Sequence, residues 1–129
     1  MQPIDPFTRA YIEAALWSST DNADDSGGEP LDANYTAEDI APETLAQMIK
    51  DCKAFQAAHA DLFTGCKRSS PEYTNEERSG HDFWLTRERH GAGFWDGDWP
   101  EPAATVLTDA AHAYGGFDLY VGDDGLIYN

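Results

Sequence analysis

The side chains best suited to chemistry lie in one stretch of this 129-residue chain, residues 80–99. It contains four side chains of types that transfer protons or bind metal ions: His81, Asp82, His90 and Asp96. Their spacing matches no metalloprotease, nucleophile-elbow, phosphate-loop or zinc-deaminase motif. In a hairpin, the base and the tip of a six-residue strand lie about 15 to 20 Å apart, which separates His90 from the other three.

A small enzyme or metal-binding protein centred on residues 80–99 is therefore one alternative. The favoured interpretation is that both histidines are turn residues hydrogen-bonded to the backbone. No catalytic residue, metal ligand or cofactor is assigned from the sequence.

The same stretch combines aromatic rings with positive charge, and its members are Trp84, Arg87, Arg89, Phe94, Trp95 and Trp99. Such a set can form a stacking platform for single-stranded nucleic acid, with the arginines on phosphates. That mode needs several phosphate contacts, and the charge of the whole chain opposes it, so direct nucleic-acid binding stays a second alternative. A protein partner could instead use Arg87, Arg89 and Trp99 as anchors, because tryptophan and arginine dominate interface energetics.

The elements that position these residues are predicted from the spacing of bulky side chains. Within residues 83–86 the side chains alternate between two faces, as on a strand. Phe94 and Trp95 come after a link bounded by Gly91 and Gly93. Two bulky runs around such a link predict a β-hairpin, and the glycines predict a bend in it.

Helices are predicted where apolar residues recur three and four positions apart. The first runs from Phe7 to Ser18, the second begins at Pro42 with an apolar stripe to Phe63, and the third comes after Pro100 and Pro102. Alternating residues around Asp123-Asp124-Gly125 predict a second hairpin. The predicted fold is a single α+β domain over residues 1–129, with an antiparallel sheet of about four strands in two hairpins packed against two or three helices.

Residues 18–35 lack apolar periodicity and are predicted to form a long acidic loop within that domain. The spacing of Asp21, Asn22, Asp24 and Asp25 does not reproduce the twelve-residue EF-hand loop, so no calcium site is predicted.

The net charge of −16 is concentrated at the two ends of the chain. Residues 1–49 contain ten acids and one base, residues 90–129 contain seven acids and no base, and residues 50–89 contain seven of each. Such a field repels nucleic acid and anionic membranes and attracts basic surfaces. The acids predicted to bind a partner are Asp21, Asp24, Asp25, Glu29 and Asp32 at one end, and Asp109, Asp118, Asp123 and Asp124 at the other.

Several features predict a protein of the cytoplasm. No apolar run approaches the roughly 20 residues that span a bilayer, and residues 1–6 lack the basic and apolar regions of a secretion signal. Cys52 and Cys66 form no CxxC pair, so reduced thiols are expected.

Four segments resemble a family of small acidic proteins encoded by bacteriophages and prophages. They are the words YIEAALWSST at 11–20, DIAPE at 39–43, GHDFWLTRERHGAGFWDG at 80–97 and YVGDDGLIY at 120–128. The resemblance spans most of the chain and implies the cytoplasm of an infected bacterium as the setting. It implies no activity and no catalytic residues.

Charge and resemblance together favour an acidic protein-binding module. Its carboxylates would occupy a basic groove on a host complex that handles nucleic acid or acts in defence, and inhibition would be the result. The expected partner is thus a basic protein surface, while membrane binding is not expected and the oligomeric state stays open.

Overall fold

The computed structural model describes residues 4–21, 29–67, 70–89, 93–95 and 99–129. In chain order the helices are α1 (Pro6–Ser18), α2 (Pro42–His59), α3 (Asn75–Arg87) and α4 (Ala103–Tyr114). The strands are β1 (Thr20–Asp21), β2 (Glu29–Pro30), β3 (Tyr120–Val121) and β4 (Ile127–Tyr128), and short 3-10 turns occupy Leu31–Ala33, Ala37–Asp39 and Ala60–Leu62. No helix in these ranges is long and apolar enough to cross a membrane.

The helix predicted from Phe7 is confirmed as α1. Asp5 caps it by accepting the Thr8 backbone N–H at 2.8 Å, and Pro6 occupies the first turn, where a missing N–H costs nothing. Phe7 and Tyr11 are fully buried, one turn apart, as the spacing predicted. The apolar face of α1 therefore points into the core.

The predicted second and third helices are also confirmed, as α2 and α4. In α2 the residues Met48, Cys52 and Phe55 are fully buried, so the apolar stripe does face the core. The helix ends at His59, before the end of that stripe, and a 3-10 turn continues it. Cys52 and Cys66 are both buried, and neither forms a disulfide.

The hairpin predicted within residues 80–99 is wrong, because residues 75–87 form the helix α3. Its start is a capping box in which Thr74 and Glu77 satisfy each other's backbone N–H groups. All four residues of 83–86 are buried, at 3% exposure or less. The second half of α3 is buried on all sides and shows no polar face, so its bulky run imitated the alternation of a strand.

The sheet of about four strands in two hairpins is likewise wrong. The described residues contain two separate two-stranded ladders, β1 with β2 and β3 with β4. The first joins two described segments of the predicted acidic loop, and residues 22–28 between them lie outside the described residues. The second confirms the C-terminal hairpin, whose turn is closed by the Gly125 N–H donating to the Gly122 carbonyl at 3.0 Å. Gly125 has φ of +81°, which glycine adopts without strain. The fold is therefore mainly helical.

The core forms where α1 crosses α3. Tyr11 of α1 meets Trp84 of α3 edge to face at 5.3 Å between ring centroids. Phe55 of α2 stacks on Phe83 of α3 at 4.1 Å, so α2 packs against the same core. At Gly80 the two backbones come so close that an added Cβ would lie 2.0 Å from the carbonyl oxygen of Phe7. Glycine is required there because of this close approach rather than because of a turn.

We expect Gly80→Ala to lower the free energy of unfolding by about 1–3 kcal/mol, because α1 must move away from α3 to admit the methyl group. The matched control is Gly116→Ala, since a Cβ at Gly116 would make an ordinary contact of 3.6 Å with Glu88. Urea unfolding of both variants measures the difference. Equal stabilities would show that α1 and α3 do not cross at this point.

Candidate functional site

A cleft of about 450 Å³ lies between α1, the 3-10 turn at residues 31–33, and the start of α3. It is an open surface cleft rather than an enclosed cavity. The residues that line it are Glu13, Ala14, Trp17, Asp32, Tyr73 and His81. We call it the His81 cleft.

Helix α1 supplies one wall of the His81 cleft. Glu13 and Trp17 are four residues apart, so they lie on the same helical face, opposite the buried Phe7 and Tyr11. Trp17 is 58% exposed. An exposed tryptophan beside a carboxylate is typical of surfaces that bind other molecules rather than of a core.

The position of His81 is set by the buried carboxylate next to it in the chain. Asp82 is 6% exposed, and its Oδ2 accepts the indole N–H of Trp99 at 2.7 Å. The His81 Nδ1 lies 3.2 Å from Asp82 Oδ1, and because a carboxylate only accepts, Nδ1 carries the hydrogen. A neutral His81 therefore has its acceptor at Nε2.

Two aromatic rings flank His81. The ring centroid of Trp17 lies 6.3 Å from that of His81, and the centroid of Tyr73 lies 6.4 Å from it, nearly perpendicular. Burial raises the pKa of Tyr73 to about 12, and the Glu13 carboxylate acts in the same direction. The positive charge of Arg78, stacked 4.3 Å from the Tyr73 centroid, opposes this rise.

The chemistry of the His81 cleft favours binding over catalysis. The Asp82–His81 pair resembles the oriented base of a nucleophilic enzyme. The hydroxyl among the lining residues belongs to Tyr73, whose raised pKa makes it a poor nucleophile near pH 7. No three metal-ligating side chains converge within the part of the chain that the structure describes. His90 and Asp96, the other members of the predicted chemical set, lie outside the described residues.

Arg87, predicted as a partner-binding residue, is internal. It is 4% exposed. One terminal nitrogen donates to the Tyr11 hydroxyl at 2.9 Å and to the Asp51 carboxylate at 3.0 Å. Its Nε donates to the Gly115 carbonyl at 2.9 Å, and the other terminal nitrogen donates to the Tyr114 carbonyl at 3.3 Å. All three side-chain nitrogens of Arg87 are hydrogen-bonded within the chain, so this residue links the four helices and is not available to bind a partner.

The predicted aromatic platform is also mostly internal. Trp84, Phe94 and Trp99 are at most 3% exposed, whereas Trp95 is 51% exposed. Arg89 is exposed as well. A stacking surface for bases would need several open ring faces, and burial removes three of the four rings.

The predicted acidic residues have different positions. Asp32, Asp109, Asp118, Asp123 and Asp124 are exposed. Asp32 lines the His81 cleft, and Asp124 accepts hydrogen bonds from the Tyr128 hydroxyl and the Leu126 N–H. Asp21 and Glu29 are opposite each other in the backbone register of the β1–β2 ladder. Asp24 and Asp25 lie outside the described residues.

Two further cavities are less suited to specific recognition. One of about 150 Å³ has the exposed Trp95 beside Glu101 and Asp109. Another, of about 380 Å³, is an apolar groove along the start of α2, lined mainly by aliphatic side chains such as Leu45 and Ile49. Of the three, the His81 cleft is the one that combines aromatic, acidic and imidazole groups.

Sequence reasoning missed Glu13, Trp17 and Tyr73. A signal for the first two was present, because both fall outside the apolar stripe of α1 and share the opposite face. A tryptophan on the polar side of an amphipathic helix is a candidate for a binding surface.

No protein-family model, curated protein or solved structure matches this chain. Function is therefore inferred from the geometry and charge of the described residues.

We expect Arg87→Met to cost about 3–5 kcal/mol of folding free energy, because it leaves the Asp51 carboxylate without its cation. Arg89→Met, at an exposed position, should change stability by less than about 0.5 kcal/mol. Urea unfolding compares the two.

The double variant Arg87→Met/Asp51→Leu should recover part of the loss, since no unpaired charge then remains. An Arg87→Met protein as stable as the unmodified chain would contradict the role of this guanidinium in joining the helices.

Proposed function

We propose that this chain is an acidic protein-binding module that docks against a basic surface of a protein partner. The single observation that carries the proposal is the His81 cleft, which an exposed tryptophan lines together with two carboxylates. Tryptophan supplies contact area at low entropic cost, and carboxylates select a positive partner.

The charge of the whole chain supports the same function. A net charge of −16 on 129 residues creates a field that accelerates encounter with a basic surface over about a Debye length, ~8 Å at physiological salt. The exposed Asp109, Asp118 and Asp123 contribute to this field outside the His81 cleft. Long-range attraction and a local anchor are thus carried by different residues.

The resemblance to phage-encoded acidic proteins makes one class of partner the first to test. Proteins of the host that handle nucleic acid or act in defence carry basic grooves, because they bind phosphates. Carboxylates in such a groove would exclude the nucleic acid, so the proposed consequence of binding is inhibition.

The test begins with capture of partners from a bacterial lysate by the tagged chain, at low and high salt. Association of the captured partner is then measured with Asp109, Asp118 and Asp123 all changed to Asn. We expect about tenfold slower association at low salt and a flatter dependence on salt, because steering depends on these charges.

The matched control changes the same three residues to Glu, which keeps the charge and should keep the association rate. Asp124 is left unchanged because its carboxylate holds the C-terminal hairpin. Association that is equally fast in the Asn and Glu variants, or independent of salt, would refute electrostatic docking.

A further inference from the structure

We propose that the His81 cleft receives the guanidinium group of an arginine side chain from the protein partner. This inference deepens the proposed function and rests on it. It names the chemical group that the cleft recognises, whereas the proposed function requires only a basic surface.

The polar groups of the His81 cleft match the donors of a guanidinium. Glu13 and Asp32 present carboxylates, and both residues are exposed. His81 in its neutral form presents Nε2 as an acceptor, because Asp82 holds the hydrogen on Nδ1. A guanidinium has five N–H donors and no acceptor, so it can satisfy several of these groups at once.

The aromatic groups of the cleft favour a flat cation. The Trp17 ring is 58% exposed and offers a face for stacking, and tryptophan is the strongest cation–π partner among the side chains. Its tilt of 32° to the His81 ring leaves the two rings diverging rather than packed flat. A planar guanidinium stacks on such a face better than a compact, strongly hydrated ammonium does.

The chain already binds its own guanidinium groups by this chemistry. Arg87 lies 5.2 Å from the Phe117 centroid while hydrogen-bonded to a carboxylate and to carbonyl oxygens. Arg78 lies 4.3 Å from the centroid of Tyr73, a residue of the His81 cleft itself. The Trp17 side of the cleft has the same kinds of groups, and the basic residues Lys and Arg are not among the described residues that line it.

Charge complementarity selects the occupant. Charges of both signs act on Tyr73, because the guanidinium of Arg78 lowers its pKa and the carboxylates of Glu13, Glu77 and Asp82 raise it. The charged groups among the residues that line the His81 cleft are the carboxylates of Glu13 and Asp32. A negative, acceptor-rich and aromatic cleft attracts a cation and repels phosphate or carboxylate ligands. We therefore assign arginine of a protein as the occupant, and not a nucleic acid.

The test uses NMR titration of the full chain with the peptide acetyl-Gly-Arg-Gly-amide, observed at the indole N–H of Trp17. We expect a saturable shift with a dissociation constant on the order of 1 mM, as suits a single side chain. Two peptides serve as comparisons: one has citrulline, which is isosteric and neutral, and the other has lysine. Both should bind at least about tenfold more weakly.

Matched variants locate the binding. Trp17→Ala, and separately Glu13→Gln with Asp32→Asn, should weaken arginine binding by about tenfold or more, with the Trp17→Ala protein observed at His81. The charge-matched control is Asp118→Asn with Asp123→Asn, and the tryptophan control is Trp95→Ala; both should bind within about twofold of the unmodified chain. All of these side chains are exposed, so the variants should keep the unfolding midpoint, which circular dichroism verifies.

Equal binding of the citrulline peptide would overturn the proposal, because charge would then not matter. Equal binding of the lysine peptide would overturn the assignment to guanidinium, and an unshifted Trp17 signal would overturn the site. Any of these results leaves electrostatic docking to a basic partner standing if association with the captured partner still depends on Asp109, Asp118 and Asp123. An unshifted Trp17 signal would remove the His81 cleft as the anchor for that docking. Loss of that dependence would refute the proposed function itself.

Discussion

The buried guanidinium of Arg87 is the interaction on which the arrangement of the helices depends. Its contacts come from Tyr11 on α1, Asp51 on α2 and Tyr114 at the end of α4, while Arg87 itself ends α3. An unpaired buried charge costs several kcal/mol. Moving any one of these helices away would therefore break a hydrogen bond to the buried guanidinium and destabilise the packing of the other three. The aromatic core around α3 contributes buried apolar surface, and the hydrogen bonds of the guanidinium fix how the four helices are placed relative to one another.

Most of the described polar side chains in residues 80–99 therefore make hydrogen bonds within the fold. Asp82 binds the Trp99 indole, the Trp84 indole donates to Ser18 at 2.7 Å, and the Thr86 hydroxyl accepts the Phe94 N–H at 3.1 Å. Each of these bonds satisfies a polar group that burial would otherwise penalise. His81 differs from them because it is only half-buried and lines a cleft. Its ring orientation there is fixed by the hydrogen bond from Nδ1 to Asp82.

Local patterns predicted the helices that have one apolar and one polar face. The helices α1, α2 and α4 and the C-terminal hairpin arise from periodicities that need no knowledge of the rest of the chain. Helix α3 could not be recognised in this way, because its neighbours bury it on nearly all sides and no polar face marks its period. Its capping box at Thr74 and Glu77 was the remaining local signal, and a capping box marks where a helix starts but not how far it extends.

The sequence by itself determined the charge of the molecule, the apolar faces of three helices and the exposed side of α1 that holds Glu13 and Trp17. These properties depend on composition and on neighbours within one or two turns. Only the tertiary structure decided that Asp32 and His81 join that side in one cleft, and that Arg87 points inward. Residues this far apart in the chain meet through the packing of whole helices, which depends on the complementary shapes and buried hydrogen bonds of many side chains at once.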